Sequence, residues 1–421
     1  MQNQNIKSLF LKTLLNRGFI QDCTDISSLD LELLNNKMTA YVGYDATADS
    51  LHVGHLVNIM MLRWFQNFGG VPITLIGGGT TRVGDPSFRS EERPLLKVEE
   101  IQKNTNSLKQ IFKNYLDYNK IGNHAIMLDN SEWLPKLNYL DFLRDFGKMF
   151  SINRMLSFDS VKSRLQREQS LSFLEFNYML LQAYDFFILK QKFNCSIQFG
   201  GSDQWGNIVS GIELIRKLTK EKAFGITTPL ITTADGKKMG KSQGKAVWLK
   251  SELLSPYEFW QFWRNTDDSD VERFLLLYTE IPISDCKDYG KLKGSRINDA
   301  KILLANKVTE LCHGKGSSEL ANKTATNVFK HGESDENLPT KIFSLSGLEN
   351  DISIVQLFVK SGLVKSGKEA KRLITENGAK INDQNIKSTD YRVRLIDLKK
   401  SIKLSAGKKR HIILKTKLLS N

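Results

Sequence analysis

The sequence predicts an α/β protein. A helix-covered parallel sheet is expected over residues 1–245, an α-helical domain over 246–335, a linker at 336–350 and a small basic α+β domain over 351–421. Three observations predict this. Short apolar runs alternate with helix-like stretches in the first half, which calls for a parallel sheet covered on both faces. After about Lys245 the pattern becomes helical. The final segment carries 17 Lys and Arg against 6 Asp and Glu, an excess of +11 out of a total of +14.

The elements follow in order. Thr39–Tyr44 reads as a buried strand, and His52–Phe68 follows as a helix with apolar positions along most of one side. Val71–Ile76 is the next strand, broken by Gly77, Gly78 and Gly79, and Ala125–Leu128 and Cys195–Phe199 are further short apolar runs bounded by polar residues. In such sheets ligands bind at the carboxyl ends of the strands, where glycine-rich loops sit. Pro256–Arg264, Val271–Thr279 and Asn298–Leu311 are candidate helices, and His331–Thr340 has no core-forming pattern. Beyond Asp351 come two short helices and several strands.

Composition excludes several classes. At 421 residues the chain needs two or three domains. No apolar run approaches the roughly 18 residues of a membrane span. The first residues, MQNQNIKSLFLKTLL, lack both the apolar core of a secretory signal and the Arg-rich, acid-free character of a transit peptide. Cys23, Cys195, Cys286 and Cys312 form no CxxC pair, which argues against zinc and fits a reducing compartment. A cytoplasmic protein is expected. A nearly neutral body with a basic tail points to a polyanion partner, although a solvated charged face gives the same count.

The strongest motif runs from Tyr41 to His55 (YVGYDATADSLHVGH), from a strand through a polar loop into a helix whose first turn holds His52, Gly54 and His55. Helix N-termini present unpaired N–H groups, so a phosphate-bearing ligand belongs there. Imidazoles three residues apart lie on one helical face, and Gly54 leaves room for a flat base to approach the backbone. By spacing alone the pair fits a structural role or half a metal site equally well. The second motif, Lys237 to Ser242 (KKMGKS), follows Gly236. Lys238 and Lys241 flank Gly240, an arrangement suited to charge growing on a phosphate leaving group. Alone, such a loop is usually just solvated.

Together, an early His-x-Gly-His turn and a later Lys-Met-x-Lys-Ser loop on a strand–helix scaffold resemble the class I aminoacyl-tRNA synthetases. The segments Gly84-Asp-Pro-Ser87, Tyr178 to Asp185 (YMLLQAYD) and Gly200 to Asn207 (GGSDQWGN) are similar, in sequence and order, to the bacterial tyrosyl-tRNA synthetase family, from about Gln2 to the C-terminus. The resemblance implies a Rossmann-like catalytic domain, an anticodon-binding helical domain and a C-terminal RNA-binding domain like that of certain ribosomal proteins. It also implies site roles. Tyr41 and Asp185 would hold the tyrosine phenol; Asp85, Tyr178 and Gln182 its ammonium group; Gln204 and Asp203 the carboxylate region and ribose. ATP would meet Asp45, Thr47, His52, Gly54, His55, Gly201, Asp203, Lys238, Met239, Lys241 and Ser242. Of these, His52, His55, Lys238, Lys241 and Ser242 would stabilise the transition state. Arg89 and Arg93 would approach pyrophosphate or the tRNA acceptor end.

Lys365, Lys368, Lys371 and Arg372 on the tail would meet tRNA phosphates. Mg²⁺ would accompany ATP through its phosphates, with no dedicated carboxylate cage. A homodimer is implied, through residues around Trp133–Phe158. Two departures from the family's commonest form are Gly240, where many synthetases carry Ser, and Val53, where Ile is frequent. Two rival readings stand beside this one: a tryptophan-specific relative with the same signatures, and a non-catalytic RNA-binding paralogue.

Overall fold

A computed structural model describes residues 6–85, 87, 95–234, 236, 239–242, 245–331, 338–343, 351–398, 401–407 and 410–416. The chain divides into two compact units. One comprises Met1–Lys250 and Asp267–Ala300, the other Ser251–Thr266 and Lys301–Asn421.

The first unit is built on a six-stranded sheet. Its strands are β1 (Asp22–Cys23), β2 (Thr39–Asp45), β3 (Val71–Gly77), β4 (Ile126–Asp129), β5 (Cys195–Gly201) and β6 (Phe224–Thr228), in the spatial order β1-β6-β5-β2-β3-β4. All neighbours are parallel except β1 and β6. The central strands are buried on both faces, so they read in sequence as near-continuous apolar runs. Strands β1 and β6 escaped the sequence pattern: β1 has only two residues, and β6 (FGITT) mixes Gly and Thr with apolar residues.

From β2 the chain steps outward to β3 and β4. It then returns to the other side of β2 as β5, followed by β6. The order therefore reverses between β2 and β5, and a ligand crevice belongs at the carboxyl ends of those strands. The helices Val53–Asn67, Phe173–Phe193 and Trp205–Thr219 pack against the sheet, and the last two also pack against each other. The Phe173–Phe193 helix starts at a capping box in which the Ser172 hydroxyl accepts from the Glu175 N–H. A buried Arg164–Glu175 ion pair (2.8 Å) anchors that end.

The segment Asp267–Ala300 belongs with this unit, although its composition continues the helical pattern before it. Its helix Val271–Tyr278 packs on the Val53–Asn67 helix. The buried Arg17 guanidinium donates to the carbonyls of Leu276 (2.9 Å), Thr279 (3.0 Å) and Ile281 (2.6 Å) and lies 4.4 Å from the Trp64 ring centroid.

In the second unit the helix Pro256–Arg264 packs against Lys315–His331. The basic tail has its own apolar core, including Ile354, Leu357, Phe358, Ile374, Ala379 and Leu404. Its five-stranded sheet contains Ala379–Ile381, Ile402–Ala406 and Arg410–Thr416. Thr340–Phe343, within the stretch expected to be a linker, is an edge strand of that sheet, parallel to Arg410–Thr416. Its pairing is non-local, with a partner about 70 residues away, which no local pattern reveals. Lys365, Lys368, Lys371 and Arg372 are all exposed on or just before the helix Gly367–Thr375.

Candidate active site

A cavity of about 660 Å³ opens at the carboxyl ends of β2 and β5. Many of the expected residues line it: Tyr41 and Asp45 on β2, Thr47, His52, Gly54 and His55 after it, Asp85 after β3, Tyr178, Gln182 and Asp185 on one helix, Gly201 at the end of β5, Asp203 and Gln204 after it, and Met239. Three expected residues, Arg89, Arg93 and Lys238, lie outside the described residues. Lys241 and Ser242 are described as backbone of a short strand paired with Lys245–Ala246.

At the helix N-terminus the two histidines form a reciprocal cap. The His52 Nδ1 accepts from the Gly54 N–H (3.1 Å), and the His55 Nδ1 accepts from the His52 N–H (3.2 Å). Their ring centroids are 4.0 Å apart. A neutral imidazole that accepts at Nδ1 carries its proton at Nε2, so each ring has its donor on the far nitrogen. The structural and ligand-binding readings of this pair are therefore compatible, because the cap uses only one nitrogen of each ring.

The segment after Met239 runs beside this turn. Val53 N–H donates to the Val247 carbonyl (3.0 Å), Leu249 N–H to the Leu51 carbonyl (2.9 Å), and His52 and Trp248 form an antiparallel bridge. Two stretches nearly 200 residues apart in sequence thus share one wall of the cavity. The Met239 carbonyl and the His52 ring occupy the space before Gly54, so that glycine accommodates protein atoms.

The opposite end of the cavity is apolar, with Tyr41 packed on Phe186 at a ring-centroid distance of 5.2 Å. Two polar groups are buried there. Asp185 accepts from Trp133 Nε1–H (2.7 Å) and Asn130 Nδ2–H (2.8 Å), while the buried Tyr41 hydroxyl has no hydrogen-bond partner among the described residues. Burial raises the Asp185 carboxyl to about 7, opposed by those two hydrogen bonds and assisted by the charges of Asp45 and Asp129. Burial, and then the charge of Asp185, raises the Tyr41 phenol well above its ordinary value. A buried phenol donor without a partner beside a buried carboxylate is costly unless a ligand completes the pair.

Between these ends lies a polar belt. Tyr178 Oη–H donates to Asp45 Oδ2 (3.1 Å), and Thr80 Oγ1–H to Asp45 Oδ1 (2.8 Å). Gln204 Nε2–H donates to Asp85 Oδ2 (2.8 Å); Asn207 Nδ2–H donates to Gln182 Oε1 (3.1 Å) and Gln204 Oε1 (3.0 Å). Sequence reasoning missed Thr80, Asn130 and Asn207 as site residues and placed Trp133 only in an expected dimer contact. Asn207 closes the quoted GGSDQWGN motif, so its position offered a signal. Asn130 and Trp133 follow a short strand in no recognisable motif, and only the fold brings them to Asp185.

Among the described residues no group of three or more His, Cys, Asp or Glu is arranged to hold a metal, and no helix is long and apolar enough to cross a membrane.

Comparison with known proteins agrees with this geometry. Residues 33–330 match the family model of class I tRNA synthetases (W and Y). The tyrosine–tRNA ligase of Dinoroseobacter shibae is 58% identical over 97% of this chain and 98% of its own length, and that of Roseobacter denitrificans 59% identical over 96% and 97%. Among solved structures, a C-terminally truncated mitochondrial tyrosyl-tRNA synthetase of Aspergillus nidulans is similar with a TM-score of 0.70 and 31% identity, over 77% of this chain and 95% of that one. With the family model spanning the catalytic sheet and full-length relatives well above half identity, this chain belongs to the class I tRNA synthetases of the tryptophan and tyrosine family.

Proposed function

We propose that the chain is a tyrosine–tRNA ligase. It activates tyrosine with ATP, releases pyrophosphate and transfers the tyrosyl group to the terminal adenosine of its tRNA. The observation that carries the choice of amino acid is the partnerless Tyr41 hydroxyl beside the buried Asp185 carboxyl, at the apolar end of the cavity. A phenol answers both groups, donating to Asp185 and accepting from Tyr41. An indole N–H only donates, which disfavours the tryptophan reading. Phenylalanine would leave both groups unsatisfied.

In this reading Asp85, Tyr178 and Gln182 meet the substrate ammonium, and Asp45 and Thr47 lie toward its carboxylate and the ATP phosphates. Gly201, Asp203 and Gln204 take the ribose region. The tyrosine carboxylate is ionised at neutral pH and attacks the α-phosphorus. An O–P bond forms to the carboxylate as the bond to the bridging oxygen breaks, and pyrophosphate leaves with the electron pair. The protein's part is positioning and charge stabilisation, carried by His52, His55, Lys238, Lys241 and Ser242. Mg²⁺ travels with the ATP phosphates, and Arg89 and Arg93 serve pyrophosphate or the acceptor end. In the second step the ribose hydroxyl of the terminal adenosine attacks the carbonyl of the mixed anhydride, and AMP leaves.

The helical segment Ser251–Thr266 with 301–331 would take the anticodon stem, and Lys365, Lys368, Lys371 and Arg372 the tRNA backbone. Exposed apolar side chains at Tyr139, Leu140, Ile152 and Phe173 suit burial in a homodimer. A cytoplasmic setting is consistent with the free cysteines.

Amino-acid-dependent ATP–pyrophosphate exchange over all twenty substrates tests the assignment. Tyrosine alone should support rapid exchange; exchange with tryptophan and not tyrosine refutes it. Removing Lys368, Lys371 and Arg372 together should leave exchange unchanged and weaken tRNA charging, with a shallower salt dependence of tRNA binding.

A further inference from the structure

The His52 ring lies between two glycines on separate segments. A Cβ on Gly54 would sit 2.8 Å from its Cε1 and 2.9 Å from its Nδ1; one on Gly240 would sit 2.7 Å from Nδ1 and 3.1 Å from Cε1. Both distances from Nδ1 are shorter than real Cβ contacts allow. Gly240 also has φ +112°, a backbone conformation that L side chains rarely adopt. The neighbouring backbone is tied on both sides. Met239 N–H donates to the Ile231 carbonyl (2.7 Å), and Val247 N–H to the Gly240 carbonyl (2.9 Å), while Val247 in turn accepts from Val53 N–H (3.0 Å). The Gly240 backbone is thus held over the imidazole and cannot readily back away from it.

We infer that Gly240 is a positioning residue for His52. By having no side chain, it lets the lysine-bearing segment close over the ring while Nδ1 keeps its hydrogen bond from Gly54 N–H. That bond places the ring proton on Nε2. A methyl or hydroxymethyl group at 240 has to displace something, and the ring is the movable partner because the backbone is tied. The imidazole then leaves the Gly54 N–H, and its proton is no longer assigned to Nε2. The serine that many synthetases carry at this position is therefore unfavourable in this chain. The inference rests on reading the site as the adenylate-forming centre.

The test uses the full chain with Gly240→Ala, Gly240→Ser, His52→Ala and the double variant Gly240→Ala/His52→Ala. The expected result is a fall of about tenfold or more in the kcat of tyrosine-dependent exchange for either Gly240 variant, with equilibrium tyrosine affinity unchanged. Added to His52→Ala, Gly240→Ala should cost clearly less than it does in the parent, because the ring it displaces is gone and only the backbone strain at φ +112° remains. Wild-type exchange in Gly240→Ala overturns the inference. So does a full additional loss in the double variant, which would assign the effect to backbone conformation alone. Loss of tyrosine affinity in Gly240→Ala also overturns it. Imidazole ¹⁵N shifts, with the His52 signal assigned by its loss in His52→Ala, give a reading independent of activity. His52 should be the Nε2–H tautomer in the parent and lose that preference in Gly240→Ala; identical spectra refute the inference. Absence of tyrosine-dependent exchange in the parent would count against the proposed function, and the ¹⁵N comparison would still judge the role of Gly240.

Discussion

The Trp133 indole nitrogen lies 2.7 Å from Oδ1 of Asp185, and together with Asn130 Nδ2 at 2.8 Å from Oδ2 it holds both carboxyl oxygens. Neither partner carries charge, so Asp185 keeps a position without a counter-ion. It is buried, hydrogen-bonded and still raised to about 7. Such a carboxyl is oriented for a ligand hydroxyl.

Removing one of those donors should loosen the pocket without unfolding the chain. Trp133→Phe keeps an aromatic ring in the core but removes the N–H together with the five-membered part of the indole. The expected result is weaker tyrosine binding by roughly tenfold, from the loss of a hydrogen bond to a charged group. Tyrosine should lose more than phenylalanine, so discrimination between the two narrows. Exchange kinetics with both amino acids measure this. Unchanged discrimination would mean that Asp185 is held by other groups.

The raised carboxyl also predicts how ligand affinity follows pH. The phenol donates to the ionised carboxylate, and below about pH 7 the empty pocket holds a proton that tyrosine binding must expel. Tyrosine Kd should therefore be flat above about 7 and rise as pH falls, approaching tenfold per pH unit. Asp185→Asn should abolish that slope, as read by titration calorimetry. Stability has the opposite sign. The folded pKa lies above the ordinary 3.8, so between about pH 4 and 7 the empty folded chain holds a proton that the unfolded chain has released. From this group alone, stability is greatest at the acid end of that window and falls as pH rises through it.

Arg17 makes a third case. Its buried guanidinium serves three carbonyls at and beyond the end of the Val71–Gly77 sheet's accessory helix Val271–Tyr278, and burial lowers its pKa despite the charge of Glu280. Arg17→Met keeps the apolar stem but removes the guanidinium that lies over Trp64 and leaves those carbonyls without their donor. A loss of about 3 kcal/mol in unfolding free energy is expected, measured by urea denaturation. Amide exchange should rise first over residues 271–281, the segment that Arg17 ties down.

Much of the fold and site was legible in the residues themselves. The buried runs at β2, β3 and β5 are nearly uninterrupted because each strand is covered on both faces, and burial on both faces removes polar alternation. The histidine turn was legible because its geometry is local: residues three apart on one helix meet whatever surrounds them. Tyr178, Gln182 and Asp185 share a helix for the same reason. The sequence by itself therefore determined strands β2 to β5, the histidine turn and many of the polar residues that reach the cavity. Only the tertiary structure decided that Asn130 and Trp133 hold Asp185, that the Gly240 segment closes on the His52 ring, that Asp267–Ala300 packs with the catalytic sheet, and that Thr340–Phe343 joins the tail. Each of these is a pairing between segments far apart in the chain. Their local residues are compatible with several partners, and the choice is made by burial and hydrogen-bond satisfaction across the whole unit, which no short window of sequence contains.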